Sequence, residues 1–116
     1  MRLELPWPPT ANTMFPSRKD GRRHLSKAGK AYRKEVHARV LEQHGVVKSL
    51  TVPLAVFVEL YPPDDRKRDI DNAFKGLFDA LTYCAVWEDD SQIKYLSAEM
   101  LPKTKGGKCV VIINVH

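Results

Sequence analysis

From Val52 to Leu60 the chain runs through β-branched, aromatic and aliphatic residues and then meets Tyr61-Pro62-Pro63. A run of that composition fits a pleated, largely buried surface. The two prolines end it, because they cannot donate to a ladder. We read it as the central strand of a sheet, even with Pro53 near its start, so the remaining segments must flank or cover it. Leu3 and Leu5, alternating with Arg2 and Glu4, give a short first strand, which the prolines of Pro6-Trp7-Pro8-Pro9 stop. Two closing strands fall near Ile93–Leu101 and Cys109–Val115, joined by a loop at Lys103-Thr104-Lys105-Gly106-Gly107.

Two amphipathic segments supply the cover. Ser26 is placed to cap a helix that runs to about His44 and stops at Gly45. Ala28, Tyr32, Val36 and Val40 line its apolar side, and Lys27, Lys30, Arg33, Lys34 and His37 its opposite arc. Leu41 breaks the pattern on that basic arc. A second helix is expected from about Asp71 to Tyr83, with Phe74, Leu77, Phe78 and Leu81 as its core face and Ala73 beside them. Trp87, next to Val86, is expected in the core or a dimer interface. Residues 10–25 read as a polar, basic loop around Asp20-Gly21 with a short hairpin arm, and loops of that length are often functional. The order is β-α-β-α-β-β: a single α+β domain over residues 1–116, with two helices packed on a small mixed β-sheet.

A chain of 116 residues supports one modest core. No apolar run nears the ~18 residues of a membrane span, and Met1-Arg2-Leu3-Glu4-Leu5-Pro6 is too charged and proline-broken for a signal peptide. A cytoplasmic location with no membrane partner is therefore expected, and there Cys84 and Cys109 are expected to be reduced. The histidines show no zinc-ligand spacing with either cysteine. The net charge is only +5, yet the window from Arg18 to Arg39 holds nine bases against two acids and alone carries +7. Smaller basic clusters follow at Arg66-Lys67-Arg68 and at Lys103, Lys105 and Lys108. Segregated positive charge suits phosphate binding, because each neutralised phosphate releases counterions. A solvated surface would look the same, and charge alone does not choose between them. No phosphate-cradling glycine loop, dinucleotide fingerprint, nucleophile elbow or zinc-protease motif is present, which removes many other enzyme classes.

The chemistry concentrates in Arg66-Lys67-Arg68-Asp69-Ile70-Asp71-Asn72-Ala73-Phe74-Lys75. Two carboxylates one residue apart repel unless a cation sits between them. In extended chain, residues i and i+2 share a face, so Asp69 and Asp71 can address one ion while Ile70 turns inward. Lys75, four residues after Asp71, falls on the same helix face. Mg²⁺ takes only one or two protein carboxylates and completes its octahedron with water and phosphate. A third carboxylate could come from Asp89-Asp90 if that turn folds back. Lys75 could stabilise charge on the phosphorus oxygens or, if deprotonated, serve as a base. The same residues are also those of an ordinary helix cap beside a surface lysine, and Asp89-Asp90 those of a solvated turn.

Read in order, these motifs resemble the RusA family of Holliday junction resolvases, small Mg²⁺-dependent endonucleases. The resemblance covers nearly the whole chain. It rests on Leu5-Pro6-Trp7-Pro8-Pro9, Arg68-Asp69-Ile70-Asp71-Asn72, Phe78-Asp79-Ala80-Leu81-Thr82, Trp87-Glu88-Asp89-Asp90-Ser91-Gln92 and Thr104-Lys105-Gly106-Gly107. It implies a homodimer that nicks opposing strands of a four-way junction and leaves 5′-phosphate ends, with Mn²⁺ able to replace Mg²⁺. It further implies Asp69, Asp71 and Asp90 as catalytic metal ligands, Asp89 as a supporting acid and Lys75 as the catalytic lysine. DNA contacts are expected from Arg18, Lys19, Arg22, Arg23, Lys27, Lys30, Arg66, Lys67, Arg68, Asn72, Lys103 and Lys105. The chain departs from the family at Asn12-Thr13-Met14-Phe15, where relatives carry more aromatic and basic character. The rival readings are a non-catalytic nucleic-acid-binding module, with salt-sensitive but metal-independent binding, and a nuclease that prefers other branched DNA.

Overall fold

The computed structural model describes residues 1–116. Its four strands are β1 (Arg2–Pro6), β2 (Leu54–Tyr61), β3 (Ile93–Met100) and β4 (Lys108–Val115), in the sheet order β1-β4-β2-β3. β2 is interior, as its composition predicts, antiparallel to β4 and parallel to β3. It begins only after Pro53, consistent with proline's missing N–H. Leu54, Val56, Val58 and Leu60 face the core, the last three in register with Ile113, Val111 and Cys109 of β4. Leu3 and Leu5 of β1 continue that layer.

Three helices accompany the sheet: α1 (Ala11–Met14), α2 (Lys27–His44) and α3 (Phe74–Tyr83). Ser26 caps α2 by accepting from the Gly29 N–H, and Gly45 ends it at φ 69°, in the left-handed region that favours glycine. α3 buries Leu77, Phe78 and Leu81 as expected. Trp87 is fully buried, edge-on to Phe78 at 5.7 Å, and its indole N–H donates to Thr82 Oγ1 at 2.7 Å. That is a core position. Cys84 and Cys109 are buried free thiols. Burial pushes the Cys84 thiol up to about 11 and the Cys109 thiol up to about 12, so neither offers a thiolate near neutral pH.

Three local expectations are corrected. The 10–25 loop holds α1, a single turn capped by Thr10, before the small arm in which Ser17 bridges Arg23. On α2 the buried side is Gly29, Tyr32, Val36 and Val40, and Ala28 is exposed. Glycine is required because Met14 drives in against the helix. A Cβ on Gly29 would lie 2.9 Å from Met14 Cγ, and one on Gly76 of α3 would lie 3.0 Å from both Met14 Sδ and the Pro9 carbonyl. Finally, the second helix opens not at an aspartate cap but through a 3-10 turn over Ile70–Ala73.

The two sheet edges differ. Along β1, the Gln43 side chain of α2 accepts from the Glu4 N–H and donates to the Glu4 carbonyl, and His44 Nε2 meets the Arg2 carbonyl. Those contacts occupy backbone groups that would otherwise invite a strand. β3 has no strand on its far side, and it exposes Tyr95, Leu96 and Met100.

Candidate active site

Asp69 sits in extended chain (φ −81°, ψ 135°) immediately before the 3-10 turn, and its side chain caps nothing. Asp71 lies within that turn and is exposed. The expected strand-like sharing of a face is replaced by a tight turn, and Ile70 stays 39% exposed rather than turning inward. Neither carboxylate has a hydrogen-bonded or ionic side-chain partner, so the capping alternative does not hold for them. Asp69 lines a small cavity of about 50 Å³ with Trp7, Thr10, Arg68, Asn72 and Met100. Lys75, in the first turn of α3, holds its ammonium 5.3 Å from the centre of the Phe15 ring. That contact steadies the cation without neutralising it.

The paired aspartates after Trp87 divide their work. Asp89 caps the short 3-10 turn Asp90–Gln92: its Oδ2 accepts from the Ser91 N–H at 3.1 Å, while Gln92 Oε1 accepts from the Glu88 and Asp89 N–H groups. Hydrogen bonding from Ser91 holds the Asp89 carboxyl below its ordinary value. Asp90 is exposed and its carboxylate has no partner.

Asp90 does not reach the other two acids within one chain. It precedes β3 at the end paired with Leu54, whereas Asp69 adjoins Met100 at the other end. Eight residues of strand separate the two ends, on the order of 25 Å at ~3.3 Å per residue. No three acidic, histidine or cysteine side chains in the chain converge closely enough to hold a metal ion. The expected fold-back of the Asp89-Asp90 turn is therefore absent from the single chain.

Several of the expected DNA-contacting bases are already engaged. Arg68 pairs with Asp64 at 2.9 Å and lies 5.6 Å over the Trp7 ring. Arg66 donates its backbone N–H to the same carboxylate. The Arg68 hydrogen bond, then that of Arg66, lowers the Asp64 carboxyl from its ordinary value. Lys103 pairs with Asp65, which raises its ammonium, and Arg23 donates to the Phe15 carbonyl at 2.8 Å. Arg18, Lys19, Arg22, Lys27, Lys30, Lys67 and Lys105 are exposed and outside any ion pair. Asn72 is exposed beside Asp69. No sequence signal marks Asp64 or Phe15, whose neighbours are set by which loops meet.

Residues 6–116 match the family model described as Endodeoxyribonuclease RusA. The chain belongs to the RusA family. Among its relatives, the crossover junction endodeoxyribonuclease RusA of Escherichia coli is 39% identical over 111 residues, covering 96% of this chain and 91% of the relative. The protein of that name from Enterobacteria phage 82 is also 39% identical, and that of Shigella sonnei 38%, over the same shares. RusA relatives are thus named as DNA endonucleases along almost their whole length, with no large segment of either chain unmatched. The resemblance carried by the motifs is the family's own.

Proposed function

We propose that this protein is a Mg²⁺-dependent, structure-selective endonuclease. It resolves four-way DNA junctions by paired, symmetric phosphodiester hydrolysis in the cytoplasm, serving DNA recombination and repair. One observation carries the reading. Of the eight aspartates, Asp20, Asp64, Asp65, Asp79 and Asp89 each hold a hydrogen bond or ion pair. Asp69, Asp71 and Asp90 hold none, and these are the three that the motifs single out.

A homodimer supplies what one chain lacks. The unblocked edge of β3, with Tyr95, Leu96 and Met100 exposed, is the available strand edge. Two copies of an edge strand related by a two-fold axis pair antiparallel. That pairing sets the start of one β3 beside the end of the other. The partner subunit's Asp90 then lies at the Met100 end, where Asp69 and Asp71 are found.

The donor set suits a hard cation: exposed carboxylate oxygens free of competing bonds, few enough to leave room for water and phosphate. Mn²⁺ accepts the same oxygen donors and can substitute. When bound, the ion polarises the phosphate and lowers the pKa of an attacking water. Lys75, whose ammonium pairs with no carboxylate and lies over Phe15, stabilises the charge that builds on the phosphorus oxygens. Water oxygen bonds to phosphorus as the bond to O3′ breaks, leaving 5′-phosphate and 3′-hydroxyl ends. Arg18, Lys19 and Arg22 on the small arm, with Lys27, Lys67 and Lys105, contact neighbouring phosphates, and Asn72 and Arg68 face the nucleotide beside Asp69.

Four-way junction, fork and linear duplex, each incubated with the protein and Mg²⁺, test the reading. Paired nicks in the junction and none in the duplex are expected. Tight junction binding without cutting, across a range of Mg²⁺ and Mn²⁺, would contradict the enzyme, and equal cutting of forks would contradict junction selectivity.

A further inference from the structure

A groove of about 240 Å³ runs along the seam between α2 and α3, lined by Leu25, Lys30, Arg33, Lys34 and Tyr83. Its floor is fixed. Arg33 donates through Nε and Nη2 to the two oxygens of Asp79, both at 2.9 Å, and its guanidinium lies 4.9 Å from the centre of the Tyr83 ring. Arg33 is thereby withdrawn from the basic arc on which the sequence places it, and its charge is balanced. The rim is not balanced. Lys30 and Lys34 are exposed and neither pairs with a carboxylate, while Tyr83 is 54% exposed.

Helix stability does not account for these lysines. Like charges at i, i+4 repel, and cations in the first half of a helix oppose its dipole; the first turn of α2 contains no acid to offset them. The opposite face of the sheet is mixed, with Arg2 and Lys108 balancing Glu4. There Glu59 and Glu99 stand directly opposite each other in the β2–β3 register, and neither has a cationic partner. That edge of the sheet repels a polyanion, whereas the lysine rim of the helix layer attracts one.

We propose that this groove is a second phosphate-binding site, in which Lys30, Lys34 and the Tyr83 hydroxyl hold the backbone of a junction arm leading away from the cleavage site. The proposal rests on the nuclease reading only for which phosphate is meant. Lys75 and Tyr83 are eight positions apart on α3, about 12 Å at ~1.5 Å per residue. With the axis of the arm running along α3, at ~3.4 Å of axis per nucleotide of one strand, the phosphate held is the third or fourth from the one beside Lys75.

Junction binding by the Asp71→Asn protein, measured without cleavage across a salt series, provides the test. The added change Lys34→Ala is expected to flatten the slope of log affinity against log salt by ~0.9, and Lys30→Ala with Lys34→Ala by about twice that. Tyr83→Phe is expected to weaken binding a few-fold. A junction with uncharged methylphosphonates at the third and fourth positions should bind the unsubstituted and Lys34→Ala proteins alike. An unchanged slope would overturn the proposal, as would a Lys34→Ala loss that persists in full on the methylphosphonate junction. Because no cutting is read, a protein that fails to cleave would defeat the nuclease reading while leaving this result standing.

Discussion

Asp89 and Asp90 are chemically identical neighbours whose surroundings give them different tasks. Asp89 closes a reciprocal cap with Gln92, so Asp89→Ala should lower Tm by a few degrees in a thermal melt. Asp90→Asn should leave Tm in place and abolish cutting, because the Asp90 carboxylate holds nothing within its own chain. The Asp89 carboxyl sits below its ordinary value. Its contribution to stability is therefore present above the unfolded value, near 4, and fades as pH falls through the lower folded value. Asp89→Asn should remove that part of the acid sensitivity in melts run between neutral and acidic pH. The division was half legible. The spacing of Asp89 to Gln92 is a capping-box signal, whereas nothing in the string tells a free Asp71 from a capping one. That needed the 3-10 turn, which carries the chain past Asp71 without using its side chain.

Helices and strands long enough to show a period were readable, and the short elements were not. α2 and α3 declare themselves through repeated apolar positions and the Ser26 and Gly45 boundaries. α1 is four residues long, too brief for any period, and it decides how the longer helices meet. Met14 fills the slot above Gly29 and Gly76. Gly76→Ala forces a methyl to 3.0 Å from the Pro9 carbonyl, which is backbone and yields little. We expect a loss of about 1–3 kcal/mol in denaturant unfolding. Ala85, just past the end of α3, has φ 59° and strains a side-chain-bearing residue there. Ala85→Gly should gain about 0.5–1 kcal/mol in the same assay.

At the scale of the molecule, the sheet blocks one edge and leaves the other open. Gln43 and His44 occupy β1, and β3 is free with Leu96 near its middle. If β3 pairs with its copy as proposed, Leu96→Lys sets like charges close to the two-fold axis. Sedimentation should then show a shift toward monomer, and cutting should fall in proportion while the isolated chain keeps its Tm. The sequence located the four strands but neither their order nor which edge is blocked, because that depends on where the strands pair and where the end of α2 docks. It also named Asp90 without showing its route, and under the proposed dimer that route runs through a second chain, which no pattern within one chain records.

In the proposed enzyme Asp90 acts across the dimer, completing a site whose other carboxylates, Asp69 and Asp71, belong to the partner. Mixing Asp71→Asn with Asp90→Asn protein, each inactive alone, tests it directly. After subunit exchange, every mixed dimer contains one site with all three carboxylates and one with two amides. The mixture should regain junction cutting as single nicks rather than paired ones. A mixture that exchanges subunits, by labelled-subunit energy transfer, yet stays inactive would contradict it and return Asp90 to its own chain.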